Sequence, residues 1–216
     1  MIHSEGLFIL MKAEKTKDPK EEVIFYGLPA SPGVVHGPAF RFLHNDVEVL
    51  KYQVEESDHE SEIERFQEAL KITQSQILQI RDDVAKNLSE KEASIFDAHL
   101  LVLEDKALLD DVENEIKKSG QNVEQCVDRV TRKYIDFFNK LEDEYLRERS
   151  ADLNDISKRL LRNLIGETAA GTAFLEQPKV LVSEDLTPSD TASLDRSKLL
   201  GIATDTGGMT SHAVIM

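Results

Sequence analysis

The chain has 216 residues, enough for one large domain or two small ones, and carries a formal net charge of −15 from 41 acidic and 26 basic residues. Such an acidic excess argues against nucleic acid or an anionic membrane as the main partner and favours a basic protein, although it also aids solubility. The single cysteine, Cys126, excludes an internal disulfide and fits a reducing cytoplasm, and no apolar run approaches the about 20 residues that cross a bilayer.

The first strand-like segment follows an N-terminal extension, residues 1–22. From Val23 to Leu43, β-branched and aromatic runs alternate with glycine and proline, which is typical of a strand, a turn and a second strand. We assign residues 23–50 to an α/β domain that resumes at residues 166–216.

A long helical zone with few helix breakers separates these two segments. Four or five helices joined by short links predict an antiparallel bundle over residues 51–165, inserted into the α/β domain. Capping boxes predict helix starts, glycine predicts a stop, and apolar residues at helical spacing predict buried faces. These signals are the boxes Ser57–Glu60 and Ser89–Glu92, the stop at Ser119-Gly120, and the apolar spacing from Val123 to Tyr145 and from Leu153 to Leu164.

The end of the chain returns to α/β character. Residues 179–182 and 199–203 have the apolar, β-branched pattern of buried strands, and residues 188–192 resemble a loop that enters a helix. Strands on both sides of a helical zone predict an α+β fold. The loops at the ends of such strands share one edge of an open sheet, where ligands usually bind.

The last dozen residues carry the side chains best suited to chemistry. Gly207 and Gly208 permit close approach of an anionic group, and Thr210 or Ser211 can cap a helix that begins at His212. Free N–H groups at a helix start suit a phosphoryl group, which a histidine can accept on one ring nitrogen while a hydrogen bond fixes the other. Spacing alone leaves open a surface histidine in a glycine turn.

Two further residues allow more than one interpretation. Thr187, in the loop 185–189 after a predicted strand, can hydrogen-bond the His212 ring or cap the following helix, and both remain open. His99 lies in a helix with apolar residues on more than one face, which favours a packed core or an interface over catalysis. No set of histidines and carboxylates has the spacing of a metal site.

Several segments resemble one known family. Residues 204–212 resemble the phosphohistidine signature of enzymes that move phosphoryl groups from phosphoenolpyruvate, with Gly-Gly-Met where the family has Gly-Gly-Arg. Together the segments cover the chain from Gly27 to its end and are similar to enzyme I of the bacterial sugar phosphotransferase system. The other segments that carry this resemblance are Gly27–Gly33, Ile95–Asp105, Asp143–Asp152, Asp155–Leu161 and Asp185–Ser189.

This resemblance implies a cytoplasmic phosphoenolpyruvate–protein phosphotransferase, a transferase of the kinase type. It implies an α/β phosphohistidine (swivelling) domain, incomplete at its C-terminus, with an inserted bundle that docks the phosphocarrier protein HPr. His212 would carry the phosphoryl group on Nε2, helped by Thr187, Gly208, Thr210 and Ser211. The HPr contacts that the resemblance implies are Asp97, Leu101, Val102, Asp105, Leu108, Leu146 and Arg149.

Members of this family continue into a phosphoenolpyruvate-binding barrel that holds Mg²⁺ and the dimer interface. The resemblance therefore implies that this chain holds no metal ligand itself, that dimers need the full length, and that the chain alone cannot use phosphoenolpyruvate. Two alternatives remain open at this point. One is a part of another phosphoenolpyruvate-using synthase or dikinase, and the other is a non-catalytic HPr-binding module.

Overall fold

The computed structural model describes residues 23–43, 47, 49–166 and 177–207, and for residues 144–148 it describes the helix without the side chains. It divides into two compact units. One unit contains residues 1–45 and 170–216, and the other contains residues 46–169.

Unit 46–169 is helical, and each of its five α-helices contributes apolar side chains that are almost fully buried. Helix α1 packs against α2 and α5, α3 packs against α4, and α4 packs against α5. Core residues such as Phe66, Phe96 and Ile116 have 1% of their surface exposed or less. The helices are α1 (His59–Asn87, after a 3₁₀ turn at Glu56–Asp58), α2 (Glu90–Leu103), α3 (Lys106–Ser119), α4 (Val123–Asn139) and α5 (Glu144–Ile165).

Local chemistry sets three of these boundaries, the start of α2 and both ends of α3. The Ser89 hydroxyl accepts the backbone N–H of Lys91 at the start of α2, and the Asp105 carboxylate caps α3. Gly120 ends α3 in the left-handed conformation, with φ of 60°, where it donates its N–H to the carbonyl of Ile116.

Two helix predictions were wrong. The capping box at 57–60 does not form, because α1 begins only at His59 after the 3₁₀ turn, and its N-cap, Asp58, makes no side-chain capping bond. The apolar spacing from Val123 to Tyr145 does not mark one helix. The chain leaves α4 at Lys140, whose N–H bonds the Phe137 carbonyl and so tightens the last turn.

The other unit contains a parallel sheet in the order β1-β2-β3. Phe40, Leu181 and Ile202 lie side by side in neighbouring strands, and Leu181 and Leu186 are the most buried members of the apolar cluster beside the sheet. The elements are β1 (Ala39–Arg41), β2 (Lys179–Ser183), α6 (Pro188–Ala192), a 3₁₀ turn (Arg196–Lys198) and β3 (Leu199–Thr204).

The predicted pair of N-terminal strands was mostly wrong. Residues 23–26 form no strand, and the second predicted strand is confined to Ala39–Arg41, which pairs in parallel with β2 rather than in a hairpin. Residues 23–26 have strong β-propensity but bury little surface: Ile24 is 68% exposed and Tyr26 86% exposed. Propensity without packing does not make a strand.

The helices and the parallel sheet confirm the predicted α+β class. Within the part of the chain that the structure describes, no helix combines the length and the apolar character needed to cross a bilayer.

Candidate functional site

Thr187 is the one predicted catalytic residue inside the described part of the chain. It lies just after β2, at the N-cap of α6. The predictions for Gly208, Thr210, Ser211 and His212 fall on residues outside the described ranges.

The side chain of Thr187 forms a reciprocal capping box with Asp190. Its hydroxyl accepts the Asp190 backbone N–H at 3.1 Å and donates to Asp190 Oδ2 at 2.7 Å, while the same carboxylate oxygen accepts the Thr187 N–H at 3.0 Å. The capping role of Thr187 is therefore confirmed, and its bond to the His212 ring stays a prediction. Because the Thr187 hydroxyl donates its only proton to Asp190, its oxygen can only accept a hydrogen bond from any further partner.

The loops after β2 and β3 are joined at the same edge of the sheet. Asp205 donates its N–H to the carbonyl of Ser183 at 3.1 Å, and Thr206 donates its N–H to the carbonyl of Glu184 at 2.9 Å. Gly207 then adopts a φ of 107°, a conformation that glycine reaches without strain. Residues 205–207, which follow β3, therefore lie beside the loop that connects β2 to Thr187.

The helical unit has an open groove of about 240 Å³ on its surface. Five of the seven predicted HPr contacts line it, and they come from α2, the α2–α3 junction, α3 and α5. The groove is apolar at its centre, where Leu101 remains 66% exposed, and charged at Asp105 and Arg149. The lining residues are Ala98, Leu101, Val102, Asp105, Leu108, Tyr134, Phe138, Arg149 and Leu153.

Two of the predicted contacts do not fall among these lining residues. Asp97 lies one turn before Leu101 on α2, but its carboxylate binds Arg81 of α1 at 3.1 Å. That hydrogen bond raises the pKa of Arg81. Leu146 lies in the first turn of α5, and its side chain is outside the description.

Helix α4 also contributes to the groove, which neither the motifs nor the family resemblance predicted. Tyr134 and Phe138 stand one turn apart and face the groove. Their i,i+4 spacing on a helix was the available signal. The Tyr134 hydroxyl donates to Asp111 Oδ2 at 3.1 Å, and burial together with this carboxylate raises the pKa of Tyr134. The tyrosine therefore presents a neutral ring to the groove.

The two charged lining residues are held by the protein itself. Asp105 Oδ1 accepts the N–H groups of Ala107 and Leu108, at 2.9 and 3.1 Å. Arg149 places Nη1 3.9 Å from the carboxylate of Asp152, one turn further along α5. A carboxylate held by two backbone N–H groups and a guanidinium paired with a carboxylate thus flank an apolar surface, as in many protein-docking sites.

The described residues contain no group of three or more histidine, cysteine, aspartate or glutamate side chains arranged to hold a metal ion. Cys126, the residue best able to act as a soft ligand, is buried, and this burial raises the pKa of its thiol.

The sequence matches the family described as PEP-utilising enzyme, N-terminal, over residues 26–149, and the family described as PEP-utilising enzyme, mobile domain, over residues 175–216. It is 42% identical over 190 residues to the phosphoenolpyruvate-protein phosphotransferase of Listeria monocytogenes and 37% identical over 190 residues to that of Bacillus subtilis. Each match covers 88% of this chain and 33% of the relative, so the chain spans about a third of the length of these proteins.

Two solved structures share the fold. A solution structure of Enzyme I (nEIt) superposes with a TM-score of 0.71 at 39% identity, over 86% of this chain and 75% of that chain. A structure of the N-terminal domain of Enzyme 1 - Nitrogen superposes with a TM-score of 0.63 at 28% identity, over 87% and 76%.

Proposed function

We propose that this chain, which belongs to the PEP-utilising enzyme family, supplies the phosphoryl-carrying and partner-docking part of a phosphoenolpyruvate–protein phosphotransferase. His212 takes a phosphoryl group that comes from phosphoenolpyruvate and passes it to a histidine of the phosphocarrier protein HPr. The observation that carries this proposal is the groove of the helical unit, which brings together five residues that the family resemblance assigns to HPr docking.

The transfer needs an imidazole nitrogen without a proton. The lone pair of His212 Nε2 attacks phosphorus, an N–P bond forms, and the P–O bond to the departing pyruvate enolate breaks. In the second step the nitrogen of the HPr histidine attacks, and the N–P bond to His212 breaks. Positioning and charge stabilisation supply most of the catalysis in phosphoryl transfer.

Thr187 sets the tautomer of that imidazole. Its hydroxyl proton is committed to Asp190 at 2.7 Å, so the oxygen can receive a hydrogen bond from an imidazole N–H but has no proton to give. His212 then places its N–H on Nδ1 against Thr187 and leaves Nε2 with a free lone pair. Gly208, Thr210 and Ser211 supply the backbone and hydroxyl donors for the phosphoryl oxygens.

HPr docks through the groove. Leu101, Val102 and Leu108 form the apolar centre that loses water on contact, while Asp105 and Arg149 fix the orientation of the partner. The net charge of −15 speeds the approach of a basic partner and makes that rate sensitive to salt. Asp97 and Leu146 extend the contact area along α2 and α5.

The remaining functions are assigned to the part of the relatives that this chain does not span. Binding of phosphoenolpyruvate, Mg²⁺ and the second copy of a homodimer belongs there. We place the reaction in the cytoplasm, since the sequence has one cysteine and no possible internal disulfide.

The binding test uses the chain itself and purified HPr. Titration calorimetry at low salt should give a measurable affinity, which Leu101→Asp lowers at least tenfold because it puts a charge into the apolar centre. Leu78→Asp is the matched control, since Leu78 of α1 is 48% exposed and does not line the groove. Equal effects of the two variants would contradict the docking surface.

The chemical test uses the intact protein that contains this segment, quenched during turnover with phosphoenolpyruvate and Mg²⁺. Mass spectrometry under alkaline conditions should find an acid-labile phosphoryl group on His212, and His212→Ala should abolish it. The 216-residue chain alone should acquire none from phosphoenolpyruvate. An adduct on another residue, or no adduct in the intact protein, would refute the assignment.

A further inference from the structure

A histidine that the proposed mechanism does not use lies directly beneath the groove. His99 of α2 is fully buried, next in sequence to the groove residue Ala98, and its ring meets that of Phe96 edge to face at 5.4 Å. Its Nε2 lies 3.4 Å from Asp152 Oδ1. Within the described residues its Nδ1 has no hydrogen-bond partner.

Asp152 connects this buried ring to the groove. Its side chain is 12% exposed, and its second oxygen, Oδ2, lies 3.9 Å from Nη1 of Arg149. The Arg149 side chain is 29% exposed and lines the groove. One carboxylate thus stands between a fully buried imidazole on α2 and a surface guanidinium on α5.

Hydrogen-bond chemistry determines which groups of His99, Asp152 and Arg149 donate and which accept. A carboxylate only accepts, so the imidazole nitrogen that faces it must be the donor, which makes His99 the Nε2–H tautomer. The bare Nδ1 lone pair then faces its surroundings without a donor, which disfavours burial of the ring. A leucine would fill this place without that cost, so packing alone does not account for a histidine.

We propose that His99 is a positioning residue for the docking surface, because it holds the Asp152 carboxylate in the orientation that fixes Arg149 at the groove. Without this donor, the nearly buried carboxylate loses a partner and turns towards water, away from the arginine. Arg149 then no longer presents its guanidinium in one fixed place. The expected effect on HPr binding rests on the proposed function. The expected effect of His99 on the placement of Arg149 does not.

The direct test is nuclear magnetic resonance of the chain without any partner. The ring nitrogens of His99 should show a protonated Nε2 and an unprotonated Nδ1, and the Arg149 side-chain N–H signals should show restricted rotation. His99→Leu should release that restriction, while His99→Gln, whose amide can still donate to Asp152, should retain most of it. A protonated Nδ1, or unchanged Arg149 signals in His99→Leu, would overturn the proposal.

The functional test is a double-variant cycle with HPr. His99→Leu and Arg149→Ala should each weaken binding by about five- to tenfold, and the double variant should bind no more weakly than Arg149→Ala alone. Additive losses would mean that His99 does not act through Arg149. A wild-type chain that fails to bind HPr would instead refute the proposed function, and the partner-free measurements would still decide the role of His99.

Discussion

Arg65→Met tests a buried ion cluster that stabilises the helical unit. Arg65 donates to Glu62 at 2.7 Å and to the carboxylate of Glu124, two acidic residues that are only 7% and 4% exposed. Burial disfavours the charge of Arg65, but these hydrogen bonds outweigh it and raise its pKa. Glu62 also accepts the N–H of Val123, and Asn122 donates to Glu124, so the cluster ties α1 to the start of α4.

The magnitude follows from what the substitution leaves behind. It deletes two hydrogen bonds to carboxylates, each contributing roughly 1.5–3 kcal/mol, and two longer ones to the Tyr52 hydroxyl and the Leu164 carbonyl. Breaking a buried ion pair costs about 3–5 kcal/mol. Because the Arg65 side chain is 37% exposed, water screens part of this loss, and we expect about 2–3 kcal/mol. With a urea dependence of about 2 kcal/mol/M, the unfolding midpoint should fall by about 1–1.5 M.

The assay is urea unfolding followed by helical circular dichroism. Lys71→Met is the control, since it removes an exposed pair with Glu68 on the same helix and should cost about 0.5 kcal/mol or less. Adding Glu124→Gln to Arg65→Met should restore part of the loss because one uncompensated charge disappears. A midpoint shift no larger than that of Lys71→Met would show that the cluster does not stabilise the unit.

Substitutions at three further positions test local features. Asp105→Ala should lower the free energy of unfolding by about 1 kcal/mol through loss of the α3 cap, while Asp105→Asn should keep most of it, as urea titration would show. Gly120→Ala should cost about 1–2 kcal/mol in the same assay, because Gly120 has a φ of 60°. Burial raises the pKa of the Cys126 thiol above its value in the unfolded chain, which is about 8.5. The neutral buried thiol therefore makes its full contribution to the free energy of unfolding below about pH 8.5, and this contribution should decline as the pH rises towards the folded-state pKa. Cys126→Val should remove that part of the alkaline decline in unfolding free energy, and an unchanged slope would contradict the assignment.

The sequence predicted the elements whose signals are local. The start of α2 at the Ser89–Glu92 box, the glycine stop of α3 and the buried strands β2 and β3 all lie where capping residues, glycine and apolar runs place them. The motifs also predicted the family, which the matches over residues 26–149 and 175–216 confirm. The domain limits and the roles of the site residues stay predictions.

The wrong and missed predictions share a physical cause. In each case the structure depends on contacts between residues, or on their lack, that no local sequence pattern reveals. Residues 23–26 have the composition of a strand but pack against too little to become one. The end of α4 at Asn139 escapes detection because apolar residues keep helical spacing across the break before α5. The ion cluster joins Arg65 to a carboxylate 59 positions away, and groove residue Tyr134 lies on a helix that the motifs did not implicate.

The two kinds of charge in this chain have different tasks in the proposed docking. The overall excess of acidic residues acts over long range and attracts a basic partner, but a diffuse field does not fix the rotation of that partner on the surface. Rotation is fixed by a few charges that cannot move, and Asp105 meets this requirement because it is bound to two backbone N–H groups. Arg149 has a long flexible stem, so a fixed position depends on its counter-charges, and the Asp152 carboxylate is one of them. If His99 orients that carboxylate as proposed, a core residue takes part in the specificity of a surface.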